Sequence, residues 1–88
     1  MISVYEVFLS RPISSIDDIE EQERRNLNAY FLDHFGFQFR DVHSRSFNVQ
    51  LENAIMNTSN AIDIPIRIAR KVQENKEAFE DDVMFYEV

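Results

Sequence analysis

The chain has 88 residues, no cysteine and a formal net charge of −7, from sixteen acidic and nine basic residues. The lack of cysteine excludes disulfide frameworks, thiolate zinc sites and cysteine nucleophiles. The negative charge disfavours direct binding to nucleic acid or to an anionic membrane surface, and it favours a protein partner with a basic surface.

Composition predicts one packed domain that spans residues 1–88. Apolar residues make up 44% of the chain, which is enough for a modest hydrophobic core and argues against disorder. Small secreted domains usually depend on disulfides, so the lack of cysteine favours a cytoplasmic protein. The chain also opens without the charged and apolar leader of an exported protein, and no apolar run is long enough to span a membrane.

The first third of the chain predicts a strand followed by a long helix. Ile2–Ser10 carries apolar residues on both alternating faces, which is typical of a strand covered on both sides. Ser14–Asp18 resembles a helix start, since a serine hydroxyl can accept from a free N–H of the first turn and acids favour the positive end of the helix dipole. The apolar stripe that follows predicts a helix of about twenty residues that ends at Gly36, where glycine adopts positive φ without strain.

The next segment predicts a β-hairpin. Phe37–His43 and Phe47–Leu51 both alternate apolar with polar residues, so they should pair as antiparallel strands with one wet face. The turn between them has no Asn-Gly or Asp-Gly, so its type stays open. The pattern is weak from Glu52 to Asn60, where residues 53–56 suggest a short helix and residues 57–60 a loop.

The last third contains one ambiguity. Ile62–Ile68 alternates like a strand with an edge proline, but it also fits a helix start with Asp63 as cap. The helix propensity of the residues that follow favours a helix from about Pro65 to Phe79. Glu80–Asp82 then predicts a solvated break, and Val83–Val88 a closing strand.

This element order predicts an α+β fold of the ferredoxin-like type. Strand, helix, strand, strand, helix, strand is the split βαβ arrangement, with two helices on one face of an antiparallel sheet. A small antiparallel sheet with the helices in another order is the alternative. Either fold hosts unrelated functions, so function has to come from particular residues.

The most enzyme-like residues are Asp33, His34, Asp41 and His43. Asp41 and His43 would share a strand face, where a carboxylate and an imidazole could hold a divalent ion with His34 nearby. Ordinary structural roles explain them better, since a histidine near a helix C-terminus is favoured by the dipole and Asp41 and His43 could cap the end of a hairpin. The chain has no glycine-rich phosphate loop and no nucleophile elbow. An enzyme is therefore not the leading prediction, and no cofactor is expected.

Two charged surfaces are the better candidates. Acidic residues crowd the predicted start of the first helix and would attract a basic partner surface, although acids at a helix start also simply stabilise its dipole. The only basic cluster lies on one face of the second predicted helix, where it could bind phosphate, an acidic partner or another copy of the chain, although an ordinary solvated face is the simpler interpretation. The candidate partner-binding residues are Asp17, Asp18, Glu20, Glu21, Glu23, Arg67, Arg70 and Lys71.

These observations favour a small acidic protein-binding module that inhibits another protein by occupying its surface. In concrete terms it would be an antitoxin, an immunity protein or a phage-encoded factor that blocks a host enzyme or defence complex. The alternative is a homo-oligomeric structural or regulatory subunit, built through strand edges and oppositely charged helix faces. A metal-dependent hydrolase or nuclease that uses the histidines is the third hypothesis.

Overall fold

A computed structural model describes residues 12–86. This part of the chain consists of four α-helices and one two-stranded antiparallel sheet. In chain order the elements are a 3₁₀ turn Ile16–Asp18, α1 Glu21–Phe35, β1 Phe37–Phe39, α2 Arg45–Asn57, α3 Asp63–Glu74, α4 Lys76–Phe79 and β2 Val83–Phe85.

The ferredoxin-like prediction is wrong. Between residues 12 and 86 the chain is mostly helical, and its sheet has two strands rather than the four of a βαββαβ domain. The strand predicted at Ile2–Ser10 lies outside the described residues, as does the end of the closing strand beyond Tyr86.

Helix α1 begins later than the sequence suggested, because the acidic segment first forms the 3₁₀ turn and only then begins α1. The carboxylate of Asp18 accepts from the backbone N–H groups of Ser14 and Ser15, at 2.9 and 3.1 Å. This arrangement closes a 3₁₀ turn instead of opening the long helix. Ile19 is then extended and buried, and the Glu23 carboxylate accepts from the Glu20 N–H at 2.8 Å to start α1.

The end of α1 is where the sequence placed it. Gly36 has φ 72° and ψ 28°, and its N–H donates to the carbonyl of Leu32. This left-handed conformation is accessible to glycine and costs most other residues about 1–2 kcal/mol. The chain can therefore turn directly from α1 into β1.

We expect Gly36→Ala to lower the free energy of unfolding by about 1–2 kcal/mol. A Cβ at this position would lie 3.4 Å from the carbonyl oxygen of Tyr86, so the cost comes mainly from the backbone conformation. Gly36→Asn should cost less than Gly36→Ala, because asparagine tolerates the left-handed region better. Urea unfolding of the three proteins checks this order, and equal stability of the alanine variant would contradict it.

The predicted hairpin does not form, because its second strand is part of α2. The side-chain oxygen of Ser44 accepts from the N–H of Phe47 at 3.1 Å and caps this helix. Phe47 and Leu51 are four residues apart, a spacing that puts them on one face of either a strand or a helix. Val49 decides between the two, since it is 40% exposed whereas Phe47 and Leu51 are buried. Asn57 ends α2 and a loop follows it, as the sequence indicated.

The helical interpretation of the Ile62–Ile68 segment is confirmed. Helix α3 starts at Asp63, with Pro65 in its first turn, where the missing proline N–H has no helical partner to lose. The helix ends at Glu74 rather than continuing to Phe79. Asn75 interrupts it, and the single turn α4 follows.

Strand β1 pairs with β2, the distant closing strand, rather than with its sequence neighbour. Gln38 faces Met84 in the register, and Phe37 faces Phe85. The pairing continues beyond the strands, where the N–H of Tyr86 donates to the carbonyl of Gly36 at 2.8 Å. The C-terminal end of the described chain is therefore joined to a strand in the middle of the sequence.

Phenylalanines from several elements form the centre of the core. Phe39 is the common member, with ring centroids at 6.1 Å from Phe31, 6.2 Å from Phe37, 5.0 Å from Phe47 and 6.4 Å from Phe79. One strand residue thus holds α1, α2 and α4 against the sheet. Aliphatic side chains from α2 and α3 complete the core.

Candidate functional site

Exposed carboxylates lie at the N-terminal end of α1. Asp17, Glu20 and Glu21 face solvent. Asp18 and Glu23, which belong to the same predicted acidic cluster, are used inside the fold. Asp18 accepts from the Ser14 and Ser15 N–H groups, and Glu23 is only 7% exposed and starts α1. The carboxylates offered to a partner are therefore fewer than the sequence suggested.

The loop between β1 and α2 brings one more carboxylate to this end of the molecule. The Nη1 atom of Arg24 donates to the Val42 carbonyl at 2.6 Å, and Nε2 of His43 lies 2.5 Å from Oε1 of Glu21. These contacts hold the loop against the first turns of α1. Asp41 is exposed in this loop and accepts from the His43 N–H. We call Asp17, Glu20, Glu21 and Asp41 the acidic corner.

The histidines do not converge on a metal site. His43 contacts Glu21 at the start of α1, whereas His34 lies near its end and packs against the Tyr30 ring at 4.3 Å between centroids. Thirteen residues separate Glu21 from His34, which corresponds to about 20 Å along a helix. Among residues 12–86 no group of three or more histidine or acidic side chains is placed to hold a metal ion.

The predicted basic cluster forms one wall of a groove between α2 and α3. The groove has a volume of about 360 Å³, and Ala54 and Ile68 are the buried residues among its lining. Glu74 also lines it and is its one acidic residue. We define the basic groove by its cationic and amide side chains, which are Arg67, Arg70 and Lys71 on α3 and Gln50, Asn53 and Asn57 on α2.

The cations of the basic groove have no counter-ion within residues 12–86. The guanidinium groups of Arg67 and Arg70 and the ammonium group of Lys71 form no ion pair with a carboxylate of residues 12–86. The chain carries sixteen acidic residues, so this lack of pairing is not caused by a shortage of carboxylates. The groove is therefore a local positive surface on a negative protein.

Exposed apolar side chains lie at one end of the same helix pair. Met56 in the last turn of α2 is 81% exposed, and Ile62 and Ile66 at the start of α3 are also exposed. Helices α2 and α3 pack against each other and are joined by a short loop. The end of α2 and the start of α3 therefore lie at the same end of this helix pair.

The amide wall of the groove was missed in the sequence, because residues 47–51 were interpreted as a strand. Gln50, Asn53 and Asn57 are separated by steps of three and four residues, which is helical spacing. That spacing was a usable signal. The groove itself could not be predicted from the sequence, because it forms only when the two helices pack together.

No protein-family model, curated protein or solved structure matches this chain. The fold of residues 12–86 is that of a small, mainly helical domain with a two-stranded sheet. None of the helices between residues 12 and 86 combines the length and the apolar character needed to cross a lipid bilayer.

Proposed function

We propose that this chain is a small cytoplasmic protein-binding module that inhibits or antagonises another protein by occupying its surface. An antitoxin, an immunity protein and a phage-encoded blocker of a host enzyme or defence complex are the concrete forms of this function. The distribution of side chains supports it. Phenylalanines and aliphatic residues fill the interior of the described domain, while the charged groups that could act on another molecule are displayed outside.

The acidic corner is the observation that carries the proposal. Its carboxylates come from the 3₁₀ turn, the start of α1 and the β1–α2 loop, and the contacts of Arg24 and His43 hold that loop in place. A fixed group of exposed negative charges increases the encounter rate with a basic surface and sets the orientation of the complex. The phenylalanines of this region are buried, so they give the corner its shape rather than anchoring the partner.

We expect the variant Asp17→Lys and Glu20→Lys to lose most of its partner binding. Glu21 is kept, because its contact with His43 holds the β1–α2 loop in place. Reversal of these charges removes the attraction to a basic surface and replaces it with repulsion, which should weaken binding by more than about tenfold at low salt. Asp18 and Glu23 stay unchanged, because they cap helical turns. The measurement is quantitative co-purification of the tagged full chain from its native host, followed by titration of the captured partner.

The control reverses two acids elsewhere, at Asp33 and Glu77, which are both exposed. This variant has the same net charge as the first one, so it separates the position of the charges from their number. It should bind the partner much as the unmodified chain does. Full binding by the acidic-corner variant would remove this mechanism.

A homo-oligomeric subunit is the second candidate, because the acidic corner and the basic groove are opposite charges on one chain. A contact between them on two copies would be head-to-tail. Sedimentation over a range of protein and salt concentrations separates the two functions. A monomer at every protein concentration would eliminate the oligomer, whereas salt-sensitive self-association without any captured partner would favour it.

A further inference from the structure

We infer that the basic groove binds an acidic, partly apolar segment of the partner protein. The carboxylates of that segment would be held by the guanidinium, ammonium and amide groups of the groove. This inference rests on the proposed protein-binding function and adds a second surface to it, with chemistry opposite to that of the acidic corner.

The unpaired cations are the first argument. Three other basic side chains have internal partners: Arg25 pairs with Glu21, and Arg24 and Lys76 lie over phenylalanine rings. Arg40 and Arg45 have no such contact among residues 12–86, but unlike the groove cations they do not line a common groove. Arg67, Arg70 and Lys71 have no such contact among residues 12–86. Their charge is therefore available to an anion from outside.

The donors of the groove fit carboxylates. A guanidinium group offers parallel N–H donors that match the two oxygens of a carboxylate. The amide groups of Gln50, Asn53 and Asn57 supply further donors from the opposite wall. Glu74 lies one turn beyond Arg70 on α3 and repels an anion at its own end of the groove. The acidic part of the ligand should therefore lie towards Arg67.

The apolar side chains beside the groove favour a protein segment over nucleic acid or free phosphate. Ile62, Ile66 and Arg70 follow one another at four-residue steps along α3, so apolar and cationic groups share one ridge of the helix. Exposed methionine and isoleucine gain free energy only against an apolar ligand surface. Arginine and methionine are also enriched in protein–protein interfaces relative to the rest of the surface.

The net charge of the chain and the volume of the groove also favour a protein segment over nucleic acid. A chain with a net charge of −7 repels nucleic acid, whose backbone carries a closely spaced row of phosphates. A short acidic segment carries few charges and meets mainly the local positive field. The groove volume of about 360 Å³ is at the low end of the range for binding pockets, which suits a few side chains of a peptide.

The experiment uses the full chain, labelled with ¹⁵N, and synthetic peptides of Glu-Glu-Leu repeats. We expect the amide signals of residues 50–57 and 66–71 to shift on titration. The same repeats with glutamine for glutamate, or glutamate for leucine, should bind at least about tenfold more weakly, because each lacks one half of the proposed contact. Peptide titration needs no native partner, so its failure is distinct from failure of the acidic-corner test.

The variant Arg67→Gln, Arg70→Gln and Lys71→Gln should weaken binding of the Glu-Glu-Leu peptide by at least about tenfold. Its side chains are exposed, so the circular dichroism spectrum should be unchanged.

The matched control is Arg25→Gln, Arg40→Gln and Arg45→Gln, which removes the same charge from exposed positions outside the groove. It should keep peptide affinity within about threefold.

Four results would overturn the inference. The first is the absence of shifts in the groove, and the second is an equal loss of affinity in both triple variants, which would be an effect of net charge alone. The third is equal affinity for inorganic phosphate or an oligothymidylate, which would indicate a general anion site. The fourth is self-association of the chain that the groove variant abolishes, which would make a second copy the occupant.

Discussion

Replacement of Phe39 by alanine is expected to remove a large part of the free energy of unfolding. Phe39 is 1% exposed, and its ring meets the rings of Phe31, Phe37, Phe47 and Phe79. Removal of a buried phenylalanine ring costs about 3–5 kcal/mol, from lost burial and from the cavity it leaves. A domain of this size has a total stability of about 4–13 kcal/mol, at 0.05–0.15 kcal/mol per residue.

Urea unfolding followed by far-ultraviolet circular dichroism measures this loss. The free energy of unfolding of Phe39→Leu should fall between those of the unmodified protein and Phe39→Ala, because leucine fills part of the space of the ring. The control Met56→Ala removes an apolar side chain that is 81% exposed and should change stability by no more than about 0.5 kcal/mol. A loss of less than about 1 kcal/mol in Phe39→Ala would show that this ring does not join the helices to the sheet.

Features set by short-range chemistry were predictable from the sequence. Gly36 ends α1 because few other residues adopt its backbone conformation at low cost. Pro65 distinguishes a first helical turn from a strand interior, and the residues after it have high helix propensity. These signals lie within a few positions of the element that they specify, so a local pattern was sufficient for each.

Features set by long-range contacts were not predictable. Phe47 and Leu51 fit both periodicities, and only the core of the folded domain shows that Val49 is on the other side. The partner of β1 is β2, more than forty residues later, and nothing within Phe37–Phe39 specifies that choice. With β1 paired to β2, the helix α2 packs on α3 and on the 3₁₀ turn, and the predicted hairpin has no second strand.

The candidate site also has some features that were predictable from the sequence and others that depend on the fold. The sequence identified both charged clusters, because formal charge is visible without a structure. It could not show that Asp18 and Glu23 are used in capping, or that Asp41 joins the acidic corner through the contacts of the loop. It also could not show the amide wall of the groove, since that depends on the packing of α2 against α3.

Replacement of Asn28 by alanine is the second large effect that we expect. The side chain of Asn28 acts as a strand partner for Phe39. Its Nδ2 donates to the Phe39 carbonyl at 2.9 Å, and its Oδ1 accepts from the Phe39 N–H at 2.7 Å. Those backbone groups point away from β2, on the edge of β1 that faces α1. Alanine leaves both without these partners in a partly buried position, at a cost of about 2–3 kcal/mol.

Hydrogen exchange distinguishes this mechanism from a general loss of packing. In Asn28→Ala the Phe39 amide should exchange much faster relative to the other amides of the sheet, while the Gln38 and Met84 amides keep the protection of the β1–β2 pairing. Asn28→Asp should retain the bond from the Phe39 N–H but lose the donor to its carbonyl, so its stability should be intermediate. Asn53→Ala makes the same truncation on an exposed helix face and should leave stability unchanged or slightly higher, because alanine favours helix. If the Phe39 amide keeps its relative protection in Asn28→Ala, another group supplies that bond and Asn28 does not hold β1 against α1.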